Sequence, residues 1–389
     1  MPRHKIKTMI PYGKQQINQD DIDAVVTALK SDFITQGPLV PAFEQAIANY
    51  CQAKHAVACN SATSALHLAC LALGLGTDDI LWTSPITFVA SANCGLYCGA
   101  KVDFVDIEAE SFNLCPKKLK TKLEQAQHNK QLPKIVVVVH MAGLSCNMQA
   151  IALLAQEYGF KIIEDASHAI GGSYLQHKIG GCQYSDITIF SFHPVKIITS
   201  VEGGMAVTNS LKLTQKMVRF RSHGITREPN NEQGGWYYQQ LELGFNYRMN
   251  DLQAALGLNQ LKRLDSFIQK RQQLADIYKQ ALAGLPIEWQ QQSQQSLSAY
   301  HLFIITLTGV APIKRKQLYD TLQAAGIGVN VHYIPVHTQP YYQQLGFKMG
   351  DYPIAEHYYQ HCLSLPLYPD LSQSQQQKVI TKLQTELCN

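Results

Sequence analysis

The segment that most constrains this chain is KIVVVVH, residues 134–140. Its aliphatic positions run without a break from Ile135 to Val139. Such a run leaves no polar face, so the strand must be covered on both sides, as interior strands of a helix-flanked parallel sheet are. Shorter runs recur along the chain: HAVACN, DDILW, KVDFVDI, KIIEDA, DITIFSF and GGMAVTN. Helical stretches such as SATSALHLACLALGLG and MQAIALLAQEYGF separate them. This alternation predicts an α/β domain with a mostly parallel sheet.

The pattern changes after about residue 255. DLQAALGLNQLKRLDSFIQKRQQLADIYKQALAGL has long helical spacing, broken once, and QQQSQQSLS reads as a surface loop. A strand (YHLFIITLT), a helix (KRKQLYDTLQAAG), a strand (IGVNVHYIP) and a final helix (SQSQQQKVITKLQTEL) follow. The expectation is a large domain over residues 1–255 and a small C-terminal α+β domain over 256–389. With 389 residues and 46% hydrophobic content, the chain can fill two cores.

Charge excludes some partners. Only 16% of residues are charged and the net charge is +4, without the clustered basic face of a nucleic-acid binder. No stretch approaches the ~18 uninterrupted apolar residues of a membrane span. The basic Arg3, His4, Lys5 and Lys7 read as a solvated tail rather than a signal peptide, since no apolar segment follows them. The ten cysteines are scattered, mostly in apolar runs, which fits reduced thiols in a cytoplasmic protein. Cys94 and Cys98 lack a second pair, so no metal site is expected.

Chemistry concentrates where strands end, which is where open parallel sheets bind ligands. Asn60-Ser61-Ala62-Thr63-Ser64 lies between a strand and a helix. Hydroxyls and free N–H groups there form an anion site, or simply cap the helix. Asp165 follows the strand KIIED and could hold a heterocyclic nitrogen protonated, or cap a helix. Lys196, in FSFHPVKIITSVEGG, is a surface lysine or a desolvated amine that attacks carbonyls. Ser191 lies near the same strand end, and Phe88 in SPITFVASAN could stack on a planar ring. An anion cradle, a carboxylate and an amine are together the parts that pyridoxal phosphate requires.

Seven ordered motifs extend the pattern over nearly the whole chain: FITQGPLVPAFE, NSATSALHLA, SPITFVASAN, EDASHAIGG, FSFHPVKIITSVEGG, LGFNYRMNDLQAALG and VHYIPVHTQPYY. In these the chain resembles the DegT/DnrJ/EryC1/StrS sugar aminotransferases, a branch of the fold-type I pyridoxal-phosphate enzymes. The resemblance implies a seven-stranded, mostly parallel sheet. It implies that Lys196 binds the cofactor aldehyde and shuttles the proton, and that Asp165 pairs with the pyridinium nitrogen. Thr63, Ser64 and Ser191 would hold the phosphate, and Phe88 would stack on the ring. His168 stands where many members carry glutamine, near the cofactor's 3-hydroxyl. Asn246 would reach the phosphate of the partner subunit's cofactor, which makes the expected unit a homodimer. Dehydratase relatives carry histidine in place of the lysine, so Lys196 implies transamination.

FNYRMNDLQAALG, VHYIPVHTQPYY and CLSLPLYPDLS most resemble the branch acting in pseudaminic acid biosynthesis. That branch aminates C4 of a UDP-linked 4-keto-6-deoxy-N-acetyl-hexosamine of the L-altro series, with L-glutamate as donor and 2-oxoglutarate leaving. Thr35, Gln36, Gly37, His193, His332, Tyr333 and His337 are candidates for the substrate cleft. His193 could equally face solvent, and HYIPVH could be an ordered strand-to-loop turn. Three other readings compete. One is the same chemistry on another UDP- or dTDP-linked keto sugar. The second is a cofactor-binding regulator without turnover. The third, a nicotinamide oxidoreductase, needs a G-x-G-x-x-G that HAVACNSATS lacks.

Overall fold

The computed structural model describes residues 9–226 and 232–388. The basic Arg3–Lys7 stretch lies outside them. The large sheet has seven strands: β1 (His55–Cys59), β2 (Ile80–Thr83), β3 (Lys101–Phe104), β4 (Ile135–Val139), β5 (Lys161–Asp165), β6 (Ile187–Ser191) and β7 (Gly204–Thr208). Their order is β1-β7-β6-β5-β4-β2-β3. Strand β7 runs antiparallel to both neighbours, and the other pairings are parallel. The mostly parallel sheet expected from the alternating pattern is therefore present.

Strand β4 shows why that pattern was informative. Successive side chains point to opposite faces. Ile135 and Val137 enter one apolar cluster and Val136 and Val138 another. Helices α1 (Gln19–Leu29), α2 (Leu39–Cys51), α3 (Ala62–Ala72), α4 (Ala90–Tyr97), α5 (Pro116–His128), α6 (Met148–Tyr158) and α7 (Leu211–Arg221) belong to this part of the chain. Leu66 and Leu68 of α3, Cys94 of α4 and Met217 of α7 fill the first cluster. Leu119 and Leu123 of α5 and Ile151 of α6 fill the second.

The long helical pattern is broken at Lys262-Arg263, between α8 (Asp251–Leu261) and α9 (Leu264–Ala281). Residue 255 lies inside α8. The cores exchange along α9: Phe267 and Ile268 pack under the large sheet, whereas Leu274, Ala275 and Tyr278 enter a separate C-terminal core. That core lies against an antiparallel sheet of β8 (Ile287–Trp289), β9 (Phe303–Leu307) and β10 (Cys362–Leu365). Helices α10 (Ile313–Ala324), α11 (Pro340–Gln344), α12 (Pro353–His361) and α13 (Gln373–Leu387) complete this region. The Arg271 guanidinium is fully buried and donates to the carbonyls of Tyr300, His301 and Leu367. Burial pushes its pKa down to about 10.

One expected element differs. IGVNVHYIP is not a strand and makes only isolated bridges, Ile10 with Ile327 and Asn330 with Ser364. Beyond Asn330 the segment crosses to the large sheet, where Val336 N–H donates to the Pro85 carbonyl. Pro335 has no N–H to continue a ladder. Among the described residues, no helix is long and apolar enough to cross a membrane.

Candidate active site

A cavity of about 520 Å³ opens at the carboxyl ends of β1, β4, β5 and β6. The loop carrying Asn330–Tyr333 forms its opposite wall. Its floor begins at α3. The Ser61 hydroxyl caps that helix by accepting from Ser64 N–H at 3.1 Å. The first N–H groups of a helix have no intrahelical acceptor and favour an anion. Ser61, Ala62 and Thr63 line the cavity, as does Ser191 from the end of β6. Ser64 does not: its hydroxyl donates to Asn60 Oδ1 at 2.7 Å and lies 2.9 Å from Ser61 Oγ. The Asn60 side chain therefore takes the Ser64 hydroxyl that the motif offered to the anion, whereas the Ser61 side chain lines the cavity. Gly204 pairs with Ser191, and a Cβ there would lie 2.4 Å from Ala62 N and the Ser61 carbonyl. Only glycine lets β7 pass this close to the start of α3.

Asp165 ends β5 and is buried. Ser91 Oγ donates to Oδ2 at 2.6 Å and Ser167 N–H to Oδ1 at 3.1 Å, so both carboxylate oxygens are oriented. Thr87 lies 2.7 Å from the Ser91 hydroxyl and extends this network to the cavity wall. Lys196 enters from the turn after β6, held by its N–H donating to the His193 carbonyl at 2.9 Å. The residue keeps some exposed surface, but its amine is desolvated. Burial pushes it down to about 8, with the Asp165 carboxylate opposing the shift.

Three histidines line the cavity near this amine. His168 Nε2 lies 3.1 Å from the Tyr333 hydroxyl, and its Nδ1 is buried without a partner. His301 packs against His168 with ring centroids 4.4 Å apart. His332 is fixed by Ser364 Oγ, 2.8 Å from its Nδ1. Burial first, and Lys196 among the nearby charges, holds all three below the ordinary histidine range, His332 at about 3. Tyr333 is pushed up by burial and by Asp165, so its phenol keeps its proton. Phe88 is 60% exposed at the wall, its ring 6.3 Å from that of Tyr333. His193 is exposed and also lines the cavity.

Other expected residues are elsewhere. His337 is fully buried and pairs with Glu356 at 2.9 Å, away from the cavity. Glu356 also accepts from the N–H groups of Gly350 and Tyr352, so the pair ties a turn to α12. Thr35 bridges Asn250, and Gly37 N–H donates to Asp251 Oδ2 at 2.9 Å. Thr35 and Gln36 are exposed, and none of residues 35–37 lines the cavity. Asn246 is exposed outside it as well, although Asn60 N–H donates to the adjoining Tyr247 carbonyl at 2.8 Å. Sequence reasoning missed His301, Ser91, Thr87, Ser167 and Tyr12 as residues of the site or its support. His301 sits in an ordinary strand opening, YHLF, and only the chain's return brings it to His168. Among the described residues, no group of three or more His, Cys, Asp or Glu is placed to hold a metal.

A desolvated lysine beside an oriented carboxylate, with a helix N-terminus for an anion at the open end of a mostly parallel sheet, defines an amine-transferring α/β enzyme. The chain belongs to the DegT/DnrJ/EryC1/StrS aminotransferase family, whose model matches residues 15–384. It is 39% identical over 378 residues, 95% of each chain, to the spore coat polysaccharide biosynthesis protein SpsC of Bacillus subtilis. It is 39% identical over 367 residues, 94% of each chain, to the UDP-4-amino-4,6-dideoxy-N-acetyl-beta-L-altrosamine transaminase of Campylobacter jejuni. Helicobacter pylori PseC, an aminotransferase of pseudoaminic acid biosynthesis, superposes with a TM-score of 0.90 at 31% identity, covering 97% of this chain and 99% of that one.

Enzymes of this family depend on pyridoxal phosphate, and solved structures of the same fold include pyridoxal- and pyridoxamine-phosphate forms. The residues present fit that group. The Gly204 cradle leaves the start of α3 open to a phosphate, and the Asp165 carboxylate and Lys196 amine share one cavity. The unpartnered His168 Nδ1 lines the same space.

Proposed function

We propose that this sugar aminotransferase moves the amino group of L-glutamate to C4 of a UDP-linked 4-keto-6-deoxy-N-acetyl-L-hexosamine, a step of pseudaminic acid biosynthesis. The observation that carries the chemistry is the desolvated Lys196 amine in one cavity with Asp165. Similarity to the Campylobacter jejuni transaminase and to PseC supports the choice of sugar.

Pyridoxal phosphate, when bound, supplies an aldehyde that captures amines and a ring that accepts electron density as a C–H bond breaks. Ser61, Thr63 and Ser191, with the first N–H groups of α3, hold its phosphate. Asp165, held by Ser91 and Ser167, keeps the ring nitrogen protonated. Burial, by bringing Lys196 down to about 8, makes a free amine accessible in mildly basic solution to bind the aldehyde. Its amine would also carry a proton between the donor's α-carbon and C4′ of that group. His168 is held by the Tyr333 hydroxyl, 3.1 Å from its Nε2, and its unpartnered Nδ1 would face the cofactor's 3-oxygen. His332 and Tyr333 close the wall against water, and Phe88 shields the ring face.

The working unit in this reading is a homodimer in which Asn246 reaches the partner's phosphate. The same assembly brings Thr35, Gln36 and Gly37 to the partner's sugar-nucleotide cleft. Exposed apolar side chains support an interface on these segments: Phe33 is 57% exposed, Leu243 78% and Trp236 81%. The reading places the enzyme in the cytoplasm. The equal identity to SpsC favours one further reading, the same transfer on another nucleotide-linked keto sugar. A panel of UDP- and dTDP-linked keto sugars tests both, with the amino product followed by mass spectrometry. Amination of the L-altro substrate alone supports the first reading, and preference for another sugar replaces it with the second.

A further inference from the structure

His301 lines the cavity, yet no step of the proposed chemistry uses it. It is buried, and its Nδ1 has no hydrogen-bond partner in the protein. Its contact with the site is made by the ring itself. The imidazole packs on that of His168, with centroids 4.4 Å apart and planes tilted by 43°. The two residues come from distant parts of the chain, the turn after β5 and the segment entering β9. Gly143 lies between their backbones. A Cβ there would stand 2.9 Å from the His168 carbonyl oxygen, 2.8 Å from Tyr300 N and 3.1 Å from His301 N, so a larger residue would push the two segments apart. Ala299 N–H donates to the Gly143 carbonyl at 3.0 Å and ties the His301 segment to this turn. The buried Arg271 fixes it further, donating to the Tyr300 and His301 carbonyls at 3.2 Å each.

We propose that His301 is a positioning residue whose ring fixes the orientation of the His168 imidazole at the cofactor's 3-oxygen. This rests on the placement of that oxygen beside His168 in the proposed function. The need arises from how His168 is held. Its ring has one hydrogen-bonding contact, the Tyr333 hydroxyl 3.1 Å from Nε2, and its Nδ1 is unpartnered. A ring held at one nitrogen can still swing about that contact, and a hydrogen bond weakens steeply as its angle closes. Two rings limit the swing: Tyr333, stacked at 6.0 Å between centroids, and His301, closer at 4.4 Å. The His301 backbone is pinned by Arg271 and by the approach at Gly143, so its ring is the fixed wall and His168 the part that would move. The bases facing the pair are Lys196 from the turn after β6, Arg271 from α9 and His332 from the opposite wall. Burial first, and then these groups, oppose a proton on either imidazole, so the two rings meet as neutral groups.

The test is a pH titration of the visible absorbance of the holoprotein, which reads the hydrogen bonding at the 3-oxygen independently of turnover. His301→Ala and His301→Leu remove the flat ring, and His301→Phe keeps one. The first two should move the titration midpoint by on the order of half a pH unit, in either direction, and speed cofactor loss on dilution severalfold. His301→Phe should stay close to wild type. Thermal unfolding checks that each variant is folded, and His301→Leu, which refills the volume, carries the test if His301→Ala is not. His168→Ala is the control for the reading beneath the inference and should shift the midpoint further. If it does while His301→Ala and His301→Leu keep the wild-type midpoint, His301 only fills space and the proposal is overturned. A folded His301→Phe that shifts as far as His301→Leu overturns the ring contact as the cause. If His168→Ala also leaves the midpoint unchanged, the 3-oxygen does not lie at His168, and that placement fails together with the inference.

Discussion

Glu164 and Asp165 are consecutive acids on one strand, and they lie in two different regions. Side chains alternate across a strand, so one carboxylate faces the cavity and the other the packed face behind it. Asp165 keeps an open environment: one hydroxyl, one N–H and a cavity shared with Lys196. Glu164 is closed in. His140 lies 2.7 Å from Oε2, while Thr188 at 3.1 Å and Ser185 bind Oε1. Burial works to raise the Glu164 pKa, and these partners overcome it, so the carboxyl lies below its usual range. Identical chemistry one residue apart thus becomes a site on one face and a structural tie on the other. What separates them is that Asp165 borders the cavity shared with Lys196, whereas Glu164 is packed among a histidine and two hydroxyls.

Substitutions should separate the two faces, the largest effect first. Lys196→Ala should abolish formation of the amino sugar while the protein remains folded, seen as lost product with an unchanged thermal transition. Asp165→Asn should lower kcat on the order of a hundredfold to a thousandfold and weaken cofactor retention, with little change in Tm. Glu164→Ala should reverse that signature. It leaves His140 buried without its partner, costs about 3 kcal/mol in denaturant unfolding, and leaves kcat near wild type. Equal loss of turnover from Glu164→Ala and Asp165→Asn would erase the distinction between the faces.

The faces also differ in pH dependence. The Glu164 carboxyl is depressed, so its stabilisation is present above the unfolded value near 4.5 and is lost as pH falls through the folded one. Lys196 is depressed as a base, so its free amine appears as pH rises through about 8. Cofactor incorporation into the apoprotein should therefore accelerate across that value, measured by the growth of visible absorbance. The smallest effect is expected within the HYIPVH motif. His332→Gln should raise the sugar KM severalfold, whereas His337→Gln should lower Tm and leave KM alone.

That last contrast shows what the sequence made legible. The β-rich runs, the Asn60–Ser64 turn, Asp165 and Lys196 all lie at or just beyond strand ends that apolar patterning marks directly. His332 and His337 belong to one motif, but their fates depend on distant residues. His332 faces the cavity, fixed by Ser364, and His337 is taken by Glu356. His301 was invisible for the same reason, since its place beside His168 arises only when β9 returns under the cavity. The Ser64 hydroxyl, which the motif offered to the phosphate, donates to Asn60 Oδ1 and lies against Ser61 Oγ, contacts that the motif's spacing does not reveal. IGVNVHYIP has strand-like composition, yet its route between two regions removes the neighbour that a strand needs.

The most direct measurement is the visible absorption of the purified holoprotein before and after addition of L-glutamate. If Lys196 holds the cofactor and releases it to the donor, the yellow band should give way to the shorter-wavelength pyridoxamine phosphate band. One equivalent of 2-oxoglutarate should appear, and Lys196→Ala should not show the resting band. A protein that takes up no pyridoxal phosphate even when it is supplied, or a band that glutamate and every other amino donor leave unchanged, would contradict the assignment of the cavity.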